Sequence, residues 1–222
     1  MGQLYLVRHG QASLGAADYD QLSAMGAKQS RRLGEYWKDH GLTFNAVLVG
    51  TLKRHAQTLE GIQDGLGHTP EALQWPGLNE YDSEAIIRSV NPNASFNTKT
   101  PEGYREHFRM LRDGLQQWMA GTASPVGMPT YPEFLQGVTS ALDHVRQHCD
   151  GNVLLVSSGG PISTAVAQVL QAPPETSIEL NLRMRNSSVS EFHFTLRRHS
   201  LVVFNSLPHL ASSQYQEWVT HA

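Results

Sequence analysis

Three short stretches, far apart in the chain, carry residue types suited to phosphate chemistry. Arg8-His9-Gly10 follows the apolar run 4–7, Gly50-Thr51-Leu52-Lys53-Arg54 follows 46–49, and Ser158-Gly159-Gly160-Pro161 closely follows 153–156. An arginine offers a planar, two-pronged donor matched to phosphate. A Gly-Gly pair opening a helix presents backbone N–H groups at the positive end of the helix dipole, which is an anion site. A histidine set among such cations has its protonated form disfavoured and keeps a lone pair at neutral pH, the requirement for an imidazole nucleophile. His9 is therefore the candidate to attack phosphorus, and Arg8 and Arg54 the candidates to hold the equatorial oxygens. Ser158 and Gly159 are candidates for further phosphate contacts. The leaving oxygen needs a proton, and Glu80 is the candidate general acid and later base, with Asp82 and Glu84 as rivals. Arg54 in a first helical turn also opposes the helix dipole, at a cost of about 0.3–1 kcal/mol, so an anion is expected beside it.

The elements that must position these residues are legible in outline. The three apolar runs lack polar alternation, as strands buried on both faces of a parallel sheet do. Each leads towards a helix. Ser23 is the expected N-cap of the first, with Leu22, Met25, Gln29 and Leu33 at helical spacing and Gly41 as its stop. Thr51 is expected to cap the second, which carries Leu52, Leu59, Ile62 and Leu66, and Pro161 is expected at the first position of the third. Ligands of open α/β sheets bind beyond the carboxyl ends of the strands, so the three stretches are expected at one edge. From about residue 83 to 150 the pattern is helical (104–119 and 134–148) around a Gly/Pro-rich stretch, and reads as a cap insertion within a single domain spanning 1–222. Two further strands, 187–196 and 201–204, flank a turn near the C-terminus. The expected fold is a three-layer α/β/α sandwich with a mostly parallel central sheet and a helical cap insertion.

Composition narrows the function classes. With 222 residues, 40% hydrophobic and 17% charged, the chain suits a globular protein. A net charge of −3 argues against nucleic acid as a partner. No apolar stretch approaches the about 18 residues of a membrane span, and the start carries no signal-peptide pattern. The one cysteine, Cys149, cannot form an internal disulfide, which fits a reducing, cytoplasmic setting. His144 and His148 have a metal-pair spacing but no evident third ligand, so no metal or other cofactor is expected. Ser13, near the first stretch, is a weaker candidate for substrate contact.

Five segments in order resemble the histidine phosphatase superfamily, also called the phosphoglycerate mutase-like family. LYLVRHGQAS is similar to its opening strand and Arg-His-Gly signature, YDQLSAMGAKQSRRLG to the helix that follows, and GTLKRHAQT to the segment of its second arginine. LNEYD resembles the segment of its acidic residue, and MRNSSVSEF with FNSLPHL its closing strands. The resemblance implies that His9 is phosphorylated, that Arg8 and Arg54 clamp the phosphoryl group, and that Glu80 is the acid; His209 matches a histidine of its tail. It also implies a second histidine directly before the Gly-Gly pair, where this chain has Ser158.

Three functions follow as expectations. The first is a metal-independent phosphatase acting on a small phosphorylated metabolite through a phosphohistidine on His9. The second is a phosphomutase, for which Arg88, Lys99, Arg105, Arg109 and Arg112 would have to converge on the pocket. The third is a weakly active phospholigand-binding protein, because loss of a charged donor at Ser158 costs on the order of 10²–10³ in rate. A histidine from the insertion, such as His107, is a candidate to replace the missing imidazole.

Overall fold

A computed structural model describes residues 1–13, 20–95 and 100–221. One six-stranded sheet organises it, in the order β3-β2-β4-β1-β5-β6. The strands are β1 (Gly2–Arg8), β2 (Ala46–Val49), β3 (Ala72–Gln74), β4 (Gly151–Ser157), β5 (Val189–Phe194) and β6 (His199–Ser206). The first four run parallel, and β5 and β6 add on antiparallel. The helices are α1 (Ala24–Asp39), α2 (Lys53–Leu66), α3 (Ser83–Val90), α4 (Pro101–Met119), α5 (Tyr131–His148), α6 (Gly159–Val169) and α7 (Thr176–Asn181). Among the described residues no helix is long and apolar enough to cross a membrane.

The pleat divides the buried strand residues between two faces. Val7, Val47, Val49, Leu154 and Val156 meet Leu33 and Trp37 of α1 and Leu59 and Ile62 of α2. Leu4, Leu6, Leu48, Val153, Leu155 and Phe192 meet α5 and α6 on the other side. The result is the three-layer arrangement expected from the unbroken apolar runs. The helical span 83–150 is not of one kind, however. Val138, Ala141 and Val145 place α5 in the same core as the strands, so it forms part of a sandwich layer. α3 and α4 pack on each other and join that core through Ile86, Ile87, Leu111 and Leu115.

Register fixes the site. Arg8 stands opposite Ser157, and Val49 opposite Val156. The ladder runs one step further, with His9 N–H donating to the Ser157 carbonyl at 2.9 Å and Gly50 N–H to that of Val156 at 3.1 Å. His9, Gly50 and Ser158 therefore emerge side by side at the carboxyl edge.

Helix starts were less predictable. Ser23 caps α1, accepting from Gly26 N–H at 3.1 Å, and Gly41 follows the helix at φ +67°. Thr51 does not cap α2. Its hydroxyl accepts from Asn79 Nδ2 at 2.6 Å, and the Lys53 N–H donates instead to Asp20 Oδ2 at 2.9 Å. α6 begins at Gly159, so Pro161 is its third residue, where a missing N–H is still without cost. The three-residue edge strand β3 is too short to leave a periodic signal in the sequence.

Candidate active site

His9 leaves β1 with its backbone pinned on two sides, donating to Ser157 and accepting from Ser187 N–H at 3.1 Å. The ring is buried, and its Nδ1 lies 2.7 Å from the Gly10 carbonyl oxygen. A carbonyl can only accept, so Nδ1 carries the proton and Nε2 keeps the lone pair. Burial holds the imidazole pKa well below its ordinary value, and the charges of Arg8 and Arg54 push it the same way. A neutral, tautomerically fixed imidazole follows, held so chiefly by burial and secondarily by the two cations.

The two arginines are buried, at 5% exposure for Arg8 and 7% for Arg54. One guanidinium nitrogen of Arg8 donates to the Met184 carbonyl, which orients the fork. Arg54 pairs with Asp20, Nη1 to Oδ1 at 2.8 Å. The same carboxylate thus accepts from Lys53 N–H and offsets both the helix dipole and the cation in the first turn. The anion expected beside Arg54 is supplied within the chain. That arginine still lies near enough to lower the pKa of both His9 and His55 and to oppose the rise at Glu80.

Glu80 reaches the site from the loop between β3 and α3. Its Oε2 accepts from Gly160 N–H at 3.1 Å, so the helix N-terminus expected to hold a phosphate already engages a carboxylate. Burial raises the Glu80 pKa against the lowering effects of Gly160, Arg54 and Arg8. Of its rivals, Asp82 is spent as the N-cap of α3, accepting from Glu84 and Ala85 N–H at 2.9 and 3.0 Å. Glu84 pairs with Arg88 at 2.6 Å on the surface. The glycine pair has a steric role as well. A Cβ on Gly160 would stand 2.1 Å from Glu80 Oε1, and one on Gly159 2.0 Å from Asn181 Oδ1. Asn181 Nδ2 in turn donates to the Tyr81 hydroxyl at 2.7 Å.

Ser158 occupies the N-cap position of α6 without capping it. Its Oγ lies 2.7 Å from Nε2 of His55 on α2, and both residues are fully buried. The His55 ring centroid is 5.9 Å from that of His9. Nδ1 of His55 faces the Gly50 backbone; a Cβ at Gly50 would lie 2.2 Å from it. Burial and the neighbouring Arg54 lower the His55 pKa to about 3, against a smaller raising effect of the Gly50 carbonyl. The sequence reading missed His55, although it stands at helical spacing with Leu59, Ile62 and Leu66 on the buried face of α2. The imidazole beside Ser158 is thus His55. His107, on α4, instead lies in contact with Phe108 and near Glu84.

Other candidates lie outside this cluster. The Ser13 hydroxyl donates to the Leu22 carbonyl at 3.0 Å. His209 is buried, its Nε2 2.9 Å from Ser187 Oγ, with its pKa lowered to about 3 chiefly by burial. The His144 and His148 rings lie 5.0 Å apart, tilted at 41°, and among the described residues no group of three or more His, Cys, Asp or Glu is arranged to hold a metal ion.

The family model of the histidine phosphatase superfamily (branch 1) matches residues 4–207. Among solved structures, a putative α-ribazole-5′-P phosphatase from Escherichia coli is similar at a TM-score of 0.65 and 22% identity, covering 93% of this chain and 97% of that one. A phosphoserine phosphatase from Entamoeba histolytica, solved with phosphoserine, is similar at 0.63 and 19% identity, over 95% and 100%. A phosphoglycerate mutase from Bacillus anthracis is similar at 0.64 and 17% identity, over 94% of each chain.

Proposed function

This chain belongs to branch 1 of the histidine phosphatase superfamily, and from that premise we propose that it hydrolyses a small phosphomonoester through a phosphohistidine on His9. The observation that carries the reading is the Nδ1–H contact of His9 with the Gly10 carbonyl at 2.7 Å, which leaves Nε2 as a nucleophile between two buried arginines. In the first half-reaction Nε2 attacks phosphorus in line with the ester oxygen. The N–P bond forms as the P–O bond breaks, and the carboxyl of Glu80 gives its proton to the departing oxygen. Arg8 and Arg54 take up charge on the equatorial oxygens. In the second half Glu80, now a carboxylate, takes a proton from water as that water's oxygen attacks phosphorus. The N–P electron pair returns to Nε2, and inorganic phosphate leaves. Burial already raises the Glu80 pKa, and a bound dianion raises it further, so a proton is at hand near neutral pH.

A small metabolite as substrate is supported by the likeness to phosphatases named for phosphoserine and α-ribazole phosphate. The charge of −3 argues against nucleic acid, and the single cysteine supports a cytoplasmic setting. Hydrolysis is favoured over mutase action by the cap cations. Arg88, Arg105 and Arg109 pair with carboxylates three or four residues away on their own helices, and Arg112 pairs with Glu179. Lys99 lies outside the described residues. All four described arginines are thus engaged with carboxylates of the chain.

The test is phosphate release from p-nitrophenyl phosphate by wild type and His9→Ala. Loss of the nucleophile is expected to lower kcat by about 10⁴-fold or more. An acid-labile, alkali-stable phosphoryl label is expected on His9 in quenched wild type. Equal rates in the two proteins overturn the reading.

A further inference from the structure

The serine at the start of α6 is withdrawn from the use such a residue ordinarily has. An N-cap hydroxyl accepts from the N–H of the second or third helical residue, but that of Ser158 caps nothing and lies 2.7 Å from His55 Nε2. Its immediate neighbours all belong to the site. Gly159 lies beside the Arg8 guanidinium, Gly160 N–H donates to Glu80, and the His55 ring stands 5.9 Å from that of His9. Both imidazoles also turn Nδ1 to a glycine backbone, His9 to Gly10 and His55 to Gly50. They differ at Nε2, which in His9 is left for phosphorus and in His55 is closed by a hydroxyl.

We infer that His55 and Ser158 form a proton relay to the phosphoryl group, in which Ser158 is the donor that touches substrate and His55 the positioning residue behind it. The inference rests on the phosphatase reading. At rest, the Ser158 hydroxyl donates to Nε2 of neutral His55. Phosphomonoesters have a second ionisation near pH 6 and reach the site partly as monoanions. On binding, the P–O–H proton passes to Ser158 Oγ as the Ser158 proton passes to His55 Nε2. The ester is then a dianion, the hydroxyl donates to one of its oxygens, and the imidazolium donates from Nε2 to Ser158 and from Nδ1 towards Gly50. The proton leaves again with phosphate as its monoanion. Among the described residues the titratable or charged groups facing His55 are Arg54 on α2 and His9 at the end of β1; Ser158, Asn79 and the Gly50 carbonyl are uncharged. Arg54 stays charged throughout, so without a ligand nothing favours the imidazolium. The phosphoryl charge supplies what is missing.

The experiment measures kcat/KM for p-nitrophenyl phosphate across pH 5–8 in wild type, Ser158→Ala, His55→Gln and the double variant, alongside His9→Ala. Each single change is expected to cost about 10²-fold, and the double no more than about threefold beyond the worse single. Both singles should also make the alkaline limb of the profile shallower by one proton, because neither can accept the ester's proton; a packing defect would leave that slope alone. Additive losses, or an unchanged slope in Ser158→Ala, overturn the relay. Ser158→Ala removes a single buried oxygen and decides the matter by itself if His55→Gln does not fold. If His9→Ala is inactive while Ser158→Ala and His55→Gln match wild type, the relay alone fails. If His9→Ala matches wild type, the phosphatase reading fails and takes the relay with it.

Discussion

Arg8 and Arg54 at the carboxyl edge of the sheet are almost wholly buried, whereas the side chains of Arg88 and Arg105 on α3 and α4 are 68% and 70% exposed. The surface pair sit in water beside carboxylates of their own helices, and such contacts are worth about 0.2–1 kcal/mol at most. The buried pair act through a medium that screens little, and they move the pKa of His9 and Glu80. The histidines divide the same way. Burial takes His55 and His209 down to about 3, while His148 lies exposed at the end of α5, its ring 5.0 Å from that of His144. Residue type is shared between the two regions, and enclosure by the sheet edge separates them.

The largest effect that sharpens this contrast is expected at Glu80. Glu80→Gln keeps the shape and the contact with Gly160 N–H but removes the proposed proton donor, and should lower kcat by about 10²–10⁴-fold. The loss should be greater for an alkyl phosphate than for p-nitrophenyl phosphate, whose leaving oxygen hardly needs a proton. The direction with pH follows from the raised pKa. The proposed mechanism requires the acid form, so wild-type kcat should fall as pH rises through that value, and the fall should be absent in Glu80→Gln. Equal losses for both esters would remove the general-acid role. The neighbouring carboxylate Glu84, paired with Arg88 in solvent, should tolerate the same change with kcat unaltered.

Arg54 comes next. Its guanidinium holds Asp20 through one nitrogen, and on the proposed mechanism it also contacts the phosphoryl group. A lysine carries one ammonium and cannot serve both with the same geometry. Arg54→Lys is expected to cost about 10- to 10²-fold in kcat/KM, whereas Arg105→Lys on α4 should cost nothing measurable. Orthovanadate, a mimic of the five-coordinate transition state, should lose affinity in parallel. Retained vanadate binding in Arg54→Lys would show that Asp20 claims the whole side chain.

How much of this was legible depends on sequence distance. The sheet was readable because Leu4–Val7, Ala46–Val49 and Val153–Val156 are locally apolar on both faces. The parallel register then put Arg8, Gly50 and Ser158 together without further information. What escaped were partnerships between segments far apart. Asp20 stands 34 residues before Arg54, and nothing local distinguishes it from Asp39 on the surface. Glu80 takes a helix N-terminus 80 residues away, which turned the expected phosphate cradle partly into a seat for a carboxyl group. His55 was hidden for a different reason. It stands next to an arginine whose chemistry drew attention, while its place on the Leu59-Ile62-Leu66 face marked it as buried. The helical span 83–150 reads as an insertion in sequence because it interrupts the strands, yet the apolar stripe of α5 carries it into the sandwich.

The buried histidines give a smaller effect, on stability. His55 and His209 titrate near 3 when folded and near 6.5 when unfolded, so the unfolded chain binds more protons between those values. Their stabilising contribution is complete above about pH 6.5 and declines as pH falls. Each should cost about 1.4 kcal/mol per pH unit, tenfold in the folding equilibrium. Urea midpoints at pH 7, 6 and 5 should fall steeply, and His209→Asn should flatten the dependence by one proton. A wild-type midpoint that holds constant from pH 7 to 5 would mean that these imidazoles gain protons within the fold.

The smallest expected effect is also the one that bears on mutase action. Arg112 on α4 pairs with Glu179 on α7, the helix that also brings Asn181 over Gly159. Both side chains are well exposed, at 41% and 51%, and water screens their attraction. Arg112→Ala is therefore expected to change stability by no more than about 0.5 kcal/mol. kcat/KM for p-nitrophenyl phosphate should stay within about threefold, since an exposed pair of this kind is worth little. Arg88→Ala and Arg105→Ala should do still less, because their partners lie on the same helix. A tenfold loss in Arg112→Ala that high salt reproduces in wild type would mean that charge on α4 reaches the phosphoryl site. The division between sheet edge and helical hairpin would then break, and a second phosphoryl group held from α4 would become the better account of the cap.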